Sequence, residues 1–438
     1  MKIRTVKPPP QPRIVKLGNR ATLYNLSFQE TCDRYIEDSS IDAVIADPPY
    51  GIEFMGKGWD TFTTKGVEKD RKSAGGYGKD STTNENGYAA AQIRYANKSI
   101  AQSLAYQDWC EEWASYMFRI LKPGGFFLAF GGTRTYHRLA CGIENAGFEI
   151  RDMLGWCYLS GFPKSSNLSK TLDRMNGTKG KIIGEKKLWG HNAGSGAGSF
   201  SKNKYEGQTG ITRSEPILAP SSNDAKQWDG WGTALKPAIE PICMARKPFK
   251  GSVAKNVQEC GTGAINIGAS RVGEQGRWPA NLIFDEEAGL FMDTTFQNGM
   301  SRIFYCPKPS KKERDLGLDI LEEQLIDPFM QTGNGKSGQE SSISEGRNTS
   351  RKNIHPTVKP VALLQYLSTL VTPPRGTIYD SVCGSGSGGV AALLSGFSWV
   401  GSERDTEHGY FPIAEARLQH IYNSLLVRKS GIKLRKVK

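Results

Sequence analysis

The sequence predicts an α/β fold, on three observations. Phe126-Phe127-Leu128-Ala129-Phe130 reads as a buried strand, followed by a helix over Tyr136 to Asn145 and a strand over Glu149 to Leu159. Near the other end, Thr377-Ile378-Tyr379-Asp380 reads as a strand, then come a glycine turn over Cys383 to Gly389, an apolar helix over Val390 to Leu394 and a strand over Phe397 to Gly401. Strand, helix and strand with short joints make an α/β unit. The third observation is the apolar run Ala43-Val44-Ile45-Ala46, a short buried strand that delivers Asp47-Pro48-Pro49-Tyr50 into a crevice at a sheet edge.

Taken in order, residues 13 to 50 alternate short apolar runs with polar breaks and finish at that tetrapeptide. Proline fixes φ and has no N–H, so the turn offers carbonyl acceptors and almost no backbone donors. A carboxylate, bare carbonyls and a flat ring suit a planar group carrying an NH₂, such as the exocyclic amine of a nucleobase. A plain strand-ending Pro-Pro turn with a capping Asp is the alternative. Residues 57 to 100 form a polar loop, rich in Gly, Lys, Asp, Ser and Asn, too long for a compact domain to carry without a use. Trp109, Trp113, Tyr116, Met117 and Ile120 then fall at helical spacing over Tyr106 to Leu121, a core-facing stripe stopped by Lys122-Pro123-Gly124-Gly125. Residues 189 to 210 and 331 to 352 are Gly/Ser/Asn-rich and read as surface loops. Ala238 to Ala245 reads as another strand, whereas residues 249 to 354 show no strong period. Pro360 opens a helix with Leu363, Leu364, Leu367, Leu370 and Val371 on one face, and Pro373-Pro374 ends it.

The chain has 438 residues, enough for two or three domains or one large domain with insertions. A net charge of +13 and an isoelectric point near 9.2 suggest a polyanionic partner. Basic residues gather at both ends, from Lys2 to Lys16 and from Arg428 to Lys438. No apolar run approaches a membrane span, and the basic, proline-rich N-terminus lacks a secretory apolar segment. Eight cysteines without a CxxC pair and five dispersed histidines give neither a disulfide framework nor a metal site, which places the protein in a reducing, cytoplasmic compartment.

The glycine turn carries a ligand expectation. Glycines let the backbone approach a ligand and open the following helix, and an acid at the end of the next strand accepts ribose hydroxyls. Glu403 lies 23 residues after Asp380, near the expected interval of roughly 20. The pattern Gly-Ser-Gly-Ser-Gly differs from the GxGxxG that cradles a pyrophosphate. S-adenosylmethionine, a nucleoside with an amino-acid tail, fits it better than NAD.

With Asp47-Pro48-Pro49-Tyr50 after a strand and Asp380-Ser381-Val382-Cys383-Gly384-Ser385-Gly386-Ser387 as cofactor turn, the chain resembles the S-adenosylmethionine-dependent amino-methyltransferases of DNA. The family turn usually reads Asp-Pro-Phe-x-Gly-Ser-Gly-Thr; the acid and glycines are kept here, and the Pro-Phe is replaced. His355-Pro356-Thr357-Val358-Lys359-Pro360 is similar to a segment such enzymes fold over the methionine end of the cofactor, and Gly401-Ser402-Glu403 with Tyr410, Ala416 and Arg417 to their second cofactor motif. The catalytic tetrapeptide precedes the cofactor turn, as in the permuted β group. Trp231 to Pro237, Glu240-Pro241-Ile242, Gly276 to Asn281 and Phe304-Tyr305-Cys306 resemble a subset common in phages and prophages.

The resemblance implies a Rossmann-like methyltransferase sheet with helices on both faces and an inserted target-recognition region. It implies Asp47, Pro48, Pro49 and Tyr50 as catalytic residues. It implies Asp380, Cys383, Gly384, Ser385, Gly386, Ser387, Glu403, His355, Thr357 and Lys359 as cofactor-binding residues, with Asn25 standing where relatives carry an acid for the cofactor's adenine. The partner implied is double-stranded DNA whose target base flips out; a homodimer is left open. Asp at the first tetrapeptide position usually accompanies adenine N6 in the family, and Ser cytosine. Cytosine N4, and a non-catalytic DNA-binding protein on this scaffold, are the alternatives. The expected division is a catalytic half over 1–165, an insertion over 166–237, a returning strand over 238–248, a target-recognition region over 249–354, a cofactor-binding half over 355–427 and a basic tail over 428–438. Within the recognition region, Arg271, Arg277, Trp278 and Lys311-Lys312 are the residues suited to meet phosphate or bases.

Overall fold

A computed structural model describes residues 12–52, 60–62, 85–158, 165–178, 180–188, 213–272, 276–285, 289, 310–322, 324–326, 349–404 and 409–429. The loop over 189–210, most of 331–352, Phe304-Tyr305-Cys306 and the tail beyond residue 429 lie outside the described residues. The chain divides into two compact units, one formed by 1–156, 240–283 and 302–438, the other by 157–239 and 284–301. Residue 249, the expected start of the recognition region, is not a boundary between them.

The strands β1 (Ile14–Leu17), β2 (Ala21–Tyr24), β3 (Ile41–Ala46), β4 (Leu121–Phe130) and β5 (Glu149–Cys157) precede a hairpin of β6 (Ile182–Leu188) and β7 (Arg213–Leu218) in the second unit. Then follow β8 (Ile239–Arg246), β9 (Leu282–Phe284), β10 (Gln324–Ile326), β11 (Thr349–Arg351), β12 (Thr377–Asp380) and β13 (Ser398–Ser402). Nine strands form one sheet in the order β1-β2-β13-β12-β3-β4-β8-β5-β9. From β2 to β4 every pairing is parallel, while β1 and β8 pair antiparallel to β2 and β4. All six residues of β3 are buried, as a central strand covered on both faces requires. Chain order runs outward in opposite directions from the β12–β3 pair, and such a switch point leaves a crevice beyond the carboxyl ends of its two strands.

Helices cover both faces of this Rossmann-like sheet. On one face, α1 (Phe28–Tyr35), α2 (Glu85–Ile120) and α3 (Tyr136–Asn145) bury Phe28, Trp113, Met117, Leu139 and Ile143 against Val44, Phe127 and Tyr379. A capping box starts α1: the Ser27 hydroxyl accepts from the Glu30 N–H, and the Glu30 carboxylate accepts from the Ser27 N–H. The aromatic stripe of α2 behaves as its spacing predicts, with Trp113, Met117 and Ile120 buried. The helix, however, begins at Glu85, inside the stretch read as a polar loop. Ala89-Ala90-Ala91 supplies helix propensity there that an absent apolar period conceals.

In the second unit, α4 (Leu168–Met175) and α5 (Asn223–Gln227) are tied by Asp173, whose carboxylate accepts from the N–H groups of Ser221 and Ser222 at 3.0 and 2.9 Å. Back in the first unit, α6 (Val253–Cys260) fixes the entry to β4, because Asn256 and Thr262 both donate to the Pro123 carbonyl. The other sheet face carries α8 (Val361–Val371), α9 (Ser387–Leu394) and α10 (Tyr410–Lys429), after the single turn α7 (Lys311–Arg314). In β13 the alternation is explicit: Val400 packs with the α2 side, and Trp399 lies against Gly389 of α9.

Candidate active site

Ile378 and Tyr379 of β12 pair with Ala43 and Val44 of β3, so the Asp47 turn and the glycine turn leave one sheet edge from neighbouring strands, about 5 Å apart. Asp47 is held on both oxygens. The Tyr50 hydroxyl donates to Oδ1 at 2.8 Å, and the Lys359 ammonium donates to Oδ2 at 2.7 Å. Glu240, the second residue of β8, completes the cluster, with Oε2 3.2 Å from both Lys359 Nζ and the Tyr50 hydroxyl. Lys359 Nζ also lies 4.9 Å from the centre of the Phe130 ring.

Burial pushes the Asp47 carboxyl above its ordinary range, with Lys359 drawing it down and Glu240 adding to the rise. Burial works against the Lys359 charge, but Asp47 and then Glu240 outweigh it and hold the ammonium protonated. Burial and the neighbouring Asp47 keep Tyr50 neutral.

The backbone of the tetrapeptide is clamped. The Tyr106 hydroxyl donates to the Pro49 carbonyl at 3.0 Å and Thr135 Oγ1 to the Tyr50 carbonyl at 2.6 Å. Asp60 then receives the N–H groups of Gly51 and Ile52 at 2.7 and 3.1 Å. Gly51 sits at φ +65°, and a Cβ there would lie 2.7 Å from the Tyr106 ring.

Across the crevice, Gly384 and Gly386 take φ of 51° and 74°, conformations that disfavour other residues. A Cβ on Gly384 would come 2.5 Å from Nε2 of His355, so the His355 ring lies directly on the turn. His355 is packed at 4.5 Å between ring centres against Tyr410, and its Nδ1 accepts from the Thr357 N–H at 3.3 Å. Burial, with Arg314 and Lys359 nearby, brings its pKa down to about 3, so the imidazole is neutral. Glu403 accepts the Gly384 N–H at 2.8 Å, and the Asn25 amide nitrogen donates to the Glu403 carbonyl at 2.8 Å. The Cys383 N–H donates to the Ser402 carbonyl. Beneath the turn, buried Arg417 donates to the Ser385 carbonyl at 2.7 Å and the Ser387 hydroxyl at 2.9 Å. Asp380 is pushed up to about 8, first by burial and then by the charges of Asp47 and Glu403, against the pull of the Val382 N–H.

These residues fit S-adenosylmethionine. Left-handed glycines allow close backbone approach, Glu403 brings to the turn a carboxylate of the kind that accepts ribose hydroxyls, and the charges of Asp47 and Glu403 match a group with a sulfonium and an ammonium.

The structure therefore gathers Asp47, Pro48, Pro49 and Tyr50 at one lip and Asp380, Cys383, Gly384, Ser385, Gly386, Ser387, Glu403, His355, Thr357 and Asn25 at the other. Lys359 differs from the expectation: its ammonium joins the Asp47 cluster, drawn by two carboxylates. Glu240, Asp60 and Tyr106 also join the site, and nothing in the motifs marks them for it. An acid inside the otherwise apolar run Ile239 to Ala245 was the available signal for Glu240.

An α/β sheet that carries a Pro-Pro turn and a left-handed glycine turn at the ends of neighbouring strands of its switch point has the architecture of a nucleotide-cofactor protein. The sequence profile of the DNA methylase family matches residues 41–415, and the chain belongs to that family, whose methyl donor is S-adenosylmethionine. Type II methyltransferase M.HindIII of Haemophilus influenzae is 24% identical over 385 residues, 87% of this chain and 90% of that protein. Among solved structures, M1.HpyAVI in complex with SAM is 12% identical, with a TM-score of 0.37, covering 91% of this chain and 99% of that one. The cytosine-N4-specific PvuII DNA methyltransferase is 13% identical, with a TM-score of 0.42, covering 93% of each chain. Among the described residues no helix is long and apolar enough to cross a membrane.

Proposed function

We propose that this DNA methyltransferase is site-specific and methylates the exocyclic N6 of adenine in a base flipped out of duplex DNA. The observation that carries the reading is the Asp47 carboxylate on the strand next to the glycine turn, at the crevice of the switch point. Asp at this position, in the chain's resemblance to its family, favours adenine over cytosine.

An aromatic amine is a poor nucleophile because its lone pair is delocalised into the ring. Asp47 and the Pro48 carbonyl accept the two amine hydrogens, favour the pyramidal nitrogen and stabilise the positive charge that grows on it. Asp47, with its carboxyl held above the ordinary range, then takes the proton that the alkylated nitrogen must lose. Tyr50 stacks on the base, and its clamped backbone fixes the ring before the base arrives. When bound, S-adenosylmethionine supplies a methyl group already activated on sulfur. Gly384, Gly386 and Glu403 hold it, and neutral His355 covers the turn without adding a charge that would repel it.

Target contacts belong to the region over 249–354. Support comes from Trp278, 66% exposed, whose ring carries the Arg271 guanidinium at 5.4 Å, a flat cationic stack suited to a base or phosphate.

The test is digestion of duplex DNA to nucleosides after incubation with the protein and isotope-labelled methyl donor. Labelled N6-methyladenine is expected, and none with Asp47→Ala, which still binds DNA. Labelled N4-methylcytosine overturns the base assignment. Undiminished transfer by Asp47→Ala overturns the mechanism.

A further inference from the structure

The cluster around Asp47 contains a contradiction that its own geometry resolves. An acceptor for the target amine acts best through an oxygen with no competing donor, yet Oδ1 of Asp47 accepts from the Tyr50 hydroxyl and Oδ2 from the Lys359 ammonium. A carboxylate has lone pairs for further donors, but a charged ammonium at 2.7 Å outcompetes a neutral amine for the same oxygen. Full acceptor strength toward the amine therefore requires Lys359 to release Asp47. A side chain with 9% exposure cannot send its charge into water, and a buried ammonium without a carboxylate is strongly disfavoured.

We infer that Lys359 is a place-holder for the target amine and that Glu240 is the acceptor to which it transfers when the base arrives. Resting on the reading of Asp47 given above, this makes Glu240 a positioning residue: it touches neither base nor cofactor and acts through Lys359. The distances suit a short pivot. Nζ already lies 3.2 Å from Glu240 Oε2, against 2.7 Å to Asp47, so a small rotation exchanges the near and far partners. The rings of Phe130 and Tyr50, 4.9 and 5.6 Å from Nζ, attract the ammonium without fixing its direction. Tyr50 is placed to follow, since its hydroxyl lies between Asp47 Oδ1 and Glu240 Oε2.

Charge leads to the same assignment. Asp47, Glu240 and Lys359 together carry one net negative charge, which favours the cation developing on the amine. Without Glu240 the cluster is neutral, and Lys359 is committed to Asp47. Without Lys359, two carboxylates face one another with no cation between them, an unfavourable pairing.

The experiment is a double-mutant cycle on the full-length protein with duplex DNA, using Glu240→Gln, Lys359→Met and their combination. The expected result is that Glu240→Gln lowers kcat at least about tenfold while S-adenosylmethionine affinity and thermal midpoint stay near wild type. Adding Lys359→Met to Glu240→Gln is expected to restore part of that loss, because the competing ammonium is gone. Glu240→Asp, which keeps the charge, is expected to retain more activity than Glu240→Gln. Multiplicative losses in the double variant, or equal losses for Glu240→Asp and Glu240→Gln, overturn the inference. An inert Asp47→Ala alongside a fully active Glu240→Gln also sinks it and leaves the Asp47 mechanism standing. An active Asp47→Ala removes the foundation of both.

Discussion

At the scale of single residues, burial has set unlike protonation states within one crevice. His355 is neutral at any ordinary pH, while Asp380, pushed up to about 8, favours its protonated form at neutral pH. The unfolded carboxyl titrates near its ordinary 3.8, so between that value and about 8 the folded chain binds more protons than the unfolded one. Stability from this group is therefore present at low pH and lost as pH rises through about 8. A cationic cofactor reverses the preference and favours the ionised carboxyl. Titration calorimetry in buffers of different ionisation enthalpy is expected to detect release of up to about one proton per S-adenosylmethionine bound at pH 7. Asp380→Asn is expected to abolish that release, and an unchanged release assigns the proton to another group. Gly384 gives a steric counterpart. An Ala there must hold φ near 51° with its Cβ 2.5 Å from His355, so cofactor affinity is expected to fall at least about tenfold, whereas Gly268→Ala, with open space around its Cβ and no left-handed backbone, leaves it unchanged.

At the scale of elements, the strands that build the crevice were legible because they are central. A strand buried on both faces must be a nearly unbroken apolar run, as Ala43 to Ala46 and Phe126 to Phe130 are. The first turns of α2 were not legible, because residues 85 to 100 lack an apolar stripe. Glu240 was hidden for the opposite reason: its apolar neighbours in β8 dictate a strand but say nothing of the partner facing its carboxylate. Arg417 is the instructive case. By period alone an Arg on α10 reads as a solvated face, and only the family resemblance marked it. It is wholly buried, ties α10 to the start of α9, and is brought down to about 10 by burial, so it stays charged at neutral pH. Replacing it by Met leaves the Ser385 carbonyl without its guanidinium donor and is expected to cost about 3 kcal/mol of stability, measured by denaturant unfolding. A change below about 0.5 kcal/mol would mean that the turn is held by its glycines alone.

At the scale of the whole molecule, charge and aromatic exposure separate two contributions to DNA binding. The net charge of +13 is a sequence-independent attraction, and it weakens as salt rises because phosphate neutralisation releases counterions. A protein contacting several phosphates is expected to lose about a thousandfold in DNA affinity between roughly 50 and 200 mM salt. S-adenosylmethionine, a small ligand whose binding neutralises no run of phosphates, should show no comparable slope. On the proposed reading Trp278 adds a contribution through its ring, which salt screens little. Removing it in Trp278→Ala deletes a stacking surface worth about 1–3 kcal/mol, so duplex affinity should drop about tenfold while the salt slope stays parallel to wild type. Arg271→Ala removes the cation stacked on that ring and should both weaken binding and flatten the slope by about one unit. Fluorescence anisotropy with labelled duplex across a salt series reads both quantities from one titration set. Parallel lines for Trp278→Ala and a shallower line for Arg271→Ala would place this pair against the nucleic acid. Superimposable lines for all three proteins would move DNA contact away from residues 249–283.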